Sequence, residues 1–121
     1  MKHLNPMKIK KNEVWLANLD PKFGTEAGKT RPVLVVQTNA LNKVHGSTII
    51  CPITTNVQLK SEILRVHLKK GTASLQMDSD VMIDQIRSIY NKRLIKRLGS
   101  ISENLVQQVA ENLKIVLDLD D

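Results

Sequence analysis

The sequence predicts a mainly β fold, a small curved antiparallel barrel or half-barrel with helices gathered at its C-terminal end. Three observations lead there. Up to Tyr90, clusters of Gly, Pro, Asn and Asp cut the chain into five apolar or alternating runs, each the length of a strand or a bent strand. A 3.6-residue period appears only beyond Asn91. Strands first and helices last is the order of a sheet whose helices are segregated to one end, rather than interleaved between parallel strands. At 121 residues the chain makes one domain with a single core, undivided by any linker, repeat or low-complexity stretch.

Met1 to Asn12 is a polar, basic lead, expected to be loose until the domain begins at Glu13 and runs to Asp121. Glu13 to Leu19 alternates imperfectly, Val14 and Leu16 against Trp15, Ala17 and Leu19, and reads as a first strand ended by Asp20-Pro21. The polar loop that follows carries Gly24 and Gly28 and reads as a mobile flap. Arg31-Pro-Val-Leu-Val-Val-Gln37 is a buried central strand, antiparallel to the first. Pro32 sets an extended backbone at its start, which keeps the leading charge out of the core. Asn39 to Gly46 turns the chain. Ser47 to Thr55 is a third strand, and Pro52 requires an edge or a bulge there because proline cannot complete a central ladder. Ile63 to Leu68 alternates as a fourth strand. Ser79 to Tyr90 is a fifth, bent by a bulge where the apolar phase shifts between Ile83 and Ile86. Asn91 then caps a short helix from Lys92 to Leu98, with Leu94 and Leu98 four apart and Gly99 as its stop. Ser102 opens the last helix, where Leu105, Val109, Leu113 and Val116 form a stripe widened by Val106, Ala110 and Leu117.

Apolar residues make up 41% of the chain and charged residues 25%, the balance of a globular rather than a disordered protein. Aromatics are only 2%, so the core is Val, Ile and Leu, and stacking on a nucleic acid has little besides Trp15, Phe23 and Tyr90 to use. The net charge of +6 conceals an asymmetry: residues 1–100 carry 17 Lys or Arg against 7 Asp or Glu, whereas the remainder is acidic. A basic body of this kind suits a polyanionic partner. Cys51 stands alone, so no intramolecular disulfide forms and a reducing compartment is implied. No apolar run approaches the ~20 residues of a membrane helix, and the lead lacks the apolar stretch of a signal peptide. The expectation is a cytoplasmic protein with no membrane association.

Several chemistries are disfavoured by pattern. His3, His45 and His67 are scattered and Cys51 has no CxxC partner, so no metal motif is present and no cofactor is expected. Gly24 and Gly28 have neither the spacing nor the following helix of a phosphate-binding glycine loop. His45 and His67 would be the only acid and base pair, but His67 alternates with apolar residues as a half-buried strand histidine does. What remains is Arg31 at the start of the second strand and Thr54-Thr55 at the end of the third. If those strands are neighbours, a guanidinium and hydroxyls can converge with Thr25 of the flap on one anion-sized spot. The same residues also read as a solvated edge arginine and as ordinary β-formers.

Trp15-Leu with the Leu19-Asp-Pro turn, Gly24-Thr-Glu26, Thr30-Arg-Pro-Val-Leu-Val-Val36, Pro52-Ile-Thr-Thr55 and Asp84-Gln-Ile-Arg-Ser-Ile89 occur in that order between Lys10 and Leu119. Together they closely resemble the MazF/PemK (Kid) toxin endoribonucleases of type II toxin-antitoxin systems. The resemblance implies a plug-type barrel shared with the CcdB toxins, a homodimer, and metal-independent cleavage of single-stranded mRNA at short sequences, which inhibits translation and growth. It also implies a cognate antitoxin whose acidic, disordered C-terminal segment covers the site, DNA being reached only through that antitoxin. The family's catalytic arginine and threonine fall on Arg31 and Thr54. Its substrate-holding loop residue falls on Thr25, with Gly24 and Thr55 beside these positions, while Gln85 would line the RNA groove and Arg87 would be structural. Asp84 departs from the family, which often has Glu there, and the basic lead is longer than usual. A free guanidinium, with a pKa of about 12.5 to 13.8, is a poor base at neutral pH. The family mechanism also assigns its arginine to acid/base work, but on this pKa Arg31 is expected first to stabilise the phosphorane charge, with Thr54 donating a hydrogen bond to a non-bridging oxygen and the RNA's own 2′-hydroxyl attacking. Two alternatives share the fold: a non-nuclease toxin acting on DNA gyrase, and a passive RNA-binding barrel.

Overall fold

The computed structural model describes residues 7–120. Val33, Leu34 and Val35 are all 0% exposed, as a run of β-branched and aliphatic residues in a central strand must be. Burying each is worth about 1.5–3 kcal/mol. They lie in β2 (Thr30–Val35), which is flanked by β1 (Glu13–Asn18) and β3 (Ser47–Thr54). The chain continues through β4 (Arg65–Leu68), β5 (Ser79–Met82), β6 (Arg87–Tyr90) and β7 (Leu94–Ser100). A four-residue helix, α1 (Asn39–Asn42), connects β2 to β3, and α2 (Glu103–Val116) ends the fold. The strands pair antiparallel in the order β4-β5-β3-β2-β1-β7, with β6 also on β3. β4 and β7 do not pair, so the sheet is open and barrel describes it only loosely.

The expectation of a single core is corrected by the sheet itself, which divides the buried residues between its two faces. Val33, Val35, Trp15, Ala17 and Ile50 belong to one cluster. Leu34, Val14, Cys51, Ile53 and Val81 belong to the other. Alternation along a central strand covered on both sides makes this division unavoidable. Helix α2 covers the second face: Val109 is buried there, and Leu105, Val106, Leu113 and Val116 pack around it. Ala110 and Leu117 are exposed, so the stripe is narrower than its sequence implies. The lead is also tighter than expected. Ile9 is buried in the first cluster, Lys11 N–H donates to Asn39 Oδ1 (2.8 Å) and Asn12 N–H to the Val35 carbonyl (2.8 Å), so residues 7–12 are part of the fold. Met1 to Pro6 and Asp121 lie outside the described residues.

Two elements differ from the sequence reading. Residues 94–100 are a strand, not the second half of a helix from Lys92; only Asn91–Arg93 makes a single 3-10 turn. The four-residue spacing of Leu94 and Leu98 satisfies a helix, but it is outweighed by a free β1 edge and a buried carboxylate. Glu13 accepts from Trp15 Nε1 (3.1 Å) and from Arg97 Nε (2.5 Å), which draws β7 into the sheet. Its register against β1 shifts twice, and these two irregularities let Leu94 reach one cluster and Leu98 the other. Gly99 does not stop a helix: a Cβ there would lie 2.7 Å from Ala73 Cα, so glycine is needed for close backbone approach. The predicted long strand from Ser79 is in fact β5 and β6 separated by a 3-10 turn at Ile83–Gln85. β6 pairs with Ser47 to Ile50 and β5 with Ile53 and Thr54, leaving Cys51 and Pro52 between the two ladders. The interruption that Pro52 demands is thus supplied by its neighbour.

Candidate active site

Strands β2 and β3 are neighbours, with Val33 opposite Pro52, Leu34 opposite Cys51 and Val35 opposite Ile50. Continuing that register by two residues sets Arg31 opposite Thr54, with both side chains on the face of Val33 and Val35. Arg31 is partly buried, and its Nε donates to the Gly28 carbonyl (2.9 Å). Neither Nη group makes a hydrogen bond among the described residues. Thr54 Oγ1 accepts the Asn56 N–H (3.1 Å), which leaves the hydroxyl proton to donate elsewhere. Continued in this way, the register brings a fork of N–H donors and a hydroxyl donor to one end of the sheet, an arrangement suited to the oxygens of a phosphate.

The loop over this end is more tied down than the flap its glycines imply. Lys29 N–H donates to Asp20 Oδ1 (2.6 Å), Leu19 N–H to the Lys29 carbonyl (2.8 Å), and Arg93 Nη1 to the carbonyls of Asn18 (3.1 Å) and Asp20 (2.5 Å). At Gly28 a Cβ would stand 2.7 Å from Lys22 Cβ, so the loop folds onto itself there. Gln85 fastens the far side: its Oε1 accepts the Ala27 N–H (2.8 Å) and its Nε2 donates to the Thr25 carbonyl (3.3 Å). Both ends of that amide are therefore engaged with loop backbone. Thr25 and Gln85 share a cleft of about 190 Å³ with Glu26, Asp84 and Arg87. Phe23, in the same loop, is 66% exposed and free to stack, whereas Trp15 is 7% exposed and unavailable as a platform.

The predicted residues thus fall into two groups joined through the loop. Arg31 and Thr54 come to the same end of the sheet when the β2/β3 register is continued past Val33 and Pro52, Thr25 and Gln85 are joined by a hydrogen bond, and Gly28 links the two groups because Arg31 holds its carbonyl. Gly24 is exposed between Phe23 and Thr25. Thr55 is exposed and lines, with Thr54, Leu16, Pro32, Ile53 and Leu98, a separate cleft of about 370 Å³ that does not include Arg31. His45 and His67 cannot act together. His45 Nδ1 lies 2.8 Å from the Ser47 carbonyl at one end of β3, while His67 belongs with Asp80, opposite Thr54 at the other.

Two residues carry more than the sequence reading gave them. Arg87 stands opposite Ile50 on the face of Arg31, and its Nη1 is buried with no hydrogen-bond partner among the described residues. Asp80 is 0% exposed and is the register partner of both Thr54 and His67. Its Oδ2 accepts the Gln58 N–H (2.8 Å) and Arg65 Nη1 (3.1 Å), and its Oδ1 accepts His67 Nδ1 (2.6 Å). Burial pushes the Asp80 carboxyl up, but these donors outweigh it and hold the group below its ordinary 3.8. A charge set directly against the apolar run Val81, Met82 and Ile83 was the signal for it. Among the described residues no three His, Cys, Asp or Glu side chains converge, and no helix is long and apolar enough to cross a membrane.

Comparisons with known proteins bear on the family and the fold. Residues 10–117 match the family described as PemK-like, MazF-like toxin of type II toxin-antitoxin system. Endoribonuclease MazF9 of Mycobacterium tuberculosis is 34% identical over 116 residues, covering 92% of this chain and 98% of that protein. Endoribonuclease EndoA of Bacillus subtilis is 31% identical over 95% of this chain and 99% of its own. Among solved structures, MazF of Deinococcus radiodurans superposes with a TM-score of 0.78 at 25% identity, over 91% of this chain and 96% of that one. An endoribonuclease from a mycobacterial species, solved in complex with its cognate antitoxin, shares the fold at a TM-score of 0.76, with 18% identity over 93% of this chain and 98% of that one. An open seven-stranded sheet ending in a helix, a family match over residues 10–117 and relatives matched over nearly their whole length lead to one conclusion: the chain belongs to the PemK-like, MazF-like toxins of type II toxin-antitoxin systems.

Proposed function

We propose that this toxin is an endoribonuclease that cleaves single-stranded RNA at short sequences without a metal, with Arg31 and Thr54 as the residues that touch the reacting phosphate. The observation that supports the reading is the β2/β3 register, which when continued by two residues carries Thr54 to Arg31 on one sheet face, together with Arg31 Nη groups that make no hydrogen bond among the described residues. The 2′-hydroxyl of the RNA attacks the adjacent phosphorus and gives its proton to water, and the bond to the 5′-oxygen of the next nucleotide breaks, that oxygen taking a proton from water to leave as a 5′-hydroxyl beside a 2′,3′-cyclic phosphate. Negative charge grows on the non-bridging oxygens as this happens. Two parallel N–H groups of Arg31 neutralise that charge, and the Thr54 hydroxyl donates to one oxygen. Thr25, Gly24 and Thr55 hold the flanking backbone, and Gln85 keeps the loop in place. Phe23 offers its ring to a base.

The partners follow from charge. The basic body receives RNA in a groove that a second copy of the chain completes, and an acidic, disordered segment of the antitoxin folds into the same field. The protein works in the cytoplasm. Incubating it with a long RNA in excess EDTA and mapping the ends tests the reading: cuts at a recurrent short sequence are expected. Loss of cleavage that returns only on adding Mg²⁺ or Mn²⁺ would overturn the metal-free mechanism.

A further inference from the structure

Across four neighbouring strands one row of side chains runs His67, Asp80, Thr54, Arg31. The first three are register partners, and the β2/β3 register continued by two residues adds the fourth. Paired residues share a face, with strands about 4.8 Å apart, so an imidazole, a buried carboxylate, a hydroxyl and a guanidinium stand in line. A carboxylate is costly in such a place unless both its oxygens are met by donors. Both are, and two of the donors reach beyond the sheet. Gln58 belongs to the segment that follows Thr54, and Arg65 Nη1 donates to the Asn56 carbonyl (3.1 Å) as well as to Asp80 Oδ2. Asn56 N–H in turn donates to Thr54 Oγ1. Contacts therefore run unbroken from the Asp80 carboxylate, through Arg65 and Asn56, to the Thr54 hydroxyl.

We propose that Asp80 is a positioning residue for Thr54. Its carboxylate anchors Gln58 and Arg65, and these hold the Asn56 turn that occupies one lone pair of the Thr54 oxygen. With that lone pair committed, the hydroxyl proton is aimed outward at the substrate. The third donor, His67, makes its proton available at Nδ1, since Asp80 Oδ1 can only accept. Arg65 and His67 are the charged and titratable groups of β4 that face the carboxylate, and Arg31 lies beyond Thr54 on β2. The proposal rests on the reading of Thr54 as a residue that touches the phosphate.

The test compares single-turnover cleavage and RNA affinity for wild type, Asp80→Asn, Thr54→Ala and the double variant. Asp80→Asn is expected to cleave at least ~10-fold more slowly, the scale of a reacting group misplaced by a fraction of an ångström, with RNA affinity within about 3-fold of wild type. The double variant should be no slower than Thr54→Ala alone, because a positioning residue has nothing to position once its hydroxyl is gone. A merely structural Asp80 would give losses that multiply. Where thermal melting shows Asp80→Asn unfolded, Arg65→Met on the edge strand removes the same link and is read in the same cycle. A wild-type rate in the folded variant, or multiplying losses, overturns the proposal with Thr54 untouched. A Thr54→Ala variant that cleaves like wild type overturns instead the reading beneath it, and the proposal with it.

Discussion

The two ends of β3 are built on opposite plans. Around Ser47 the buried polar side chains are neutral and spend their hydrogen bonds on one another. Gln37 Nε2 donates to Asn42 Oδ1 (2.9 Å), Gln37 Oε1 accepts the Ile49 N–H (3.2 Å), Thr48 Oγ1 donates to Asn91 Oδ1 (2.5 Å), and Asn91 Nδ2 donates to the His45 carbonyl (2.8 Å). Around Thr54 the groups are ionic or titratable, and among the described residues the Nη groups of Arg31 and the buried Nε2 of His67 have no hydrogen-bond partner. A closed neutral network fastens a hairpin and does nothing else. Polar atoms left open at a sheet's end carry a cost in the free protein that a bound ligand can offset. The two ends therefore differ in which atoms lack partners, and the open end is the one proposed to receive the phosphate.

The largest expected effect breaks the open end alone. Arg31→Lys keeps the charge and loses the planar fork, so RNA affinity should stay near wild type while single-turnover cleavage falls ~100-fold or more. Arg31→Ala should lose binding as well. A Lys variant that cleaves at the wild-type rate would show that Arg31 only attracts RNA. Both should melt as wild type does, because the side chain sits at the sheet's end.

The closed end should behave in the reverse way. Asn91→Ala removes the acceptor of the buried Thr48 hydroxyl and a donor to the His45 carbonyl, and should cost about 1–3 kcal/mol in urea unfolding. Cleavage per folded molecule should not change. An Asn91 variant with full stability and impaired cleavage would erase the distinction between the two ends.

Acid should act on the open end first. Asp80 has a folded pKa below its unfolded one, so its contribution to stability is present above the ordinary carboxylate range and is lost as pH falls through the folded value. Stability of wild type should therefore drop more steeply than that of Asp80→Asn as the pH goes from about 6 to about 3. Equal slopes would mean that the carboxylate gains nothing from Gln58, His67 and Arg65.

The smallest effect is a negative one, at the middle of the same strand. Burial, reinforced by the charge of Asp84, pushes the Cys51 thiol up to about 12, so a thiol reagent at neutral pH should label it only after unfolding. Rapid labelling of the native protein would indicate that β3 opens at Pro52, between its two ladders.

Much of this was legible in the sequence because it rests on local pattern. The β-branched run of β2, the alternation in β1 and β4, the stripe of α2 and the Arg31-Pro32 boundary all follow from the period and chemistry of neighbouring residues. Family motifs added which arginine and which threonine belong together. Tertiary structure alone decided the rest, for physical reasons that act across the chain. Leu94 to Ser100 became a strand because β1 had a free edge and Glu13 a buried charge, and neither fact is written near residue 94. Gly99 is needed for a close approach to Ala73, 26 positions away in sequence. Asp80 gains its place opposite Thr54 from a pairing that Pro52 forces to begin anew beyond itself. Local patterns choose the elements, whereas edges, buried charges and register choose their partners, and the Thr54 end of β3 was made by that second choice.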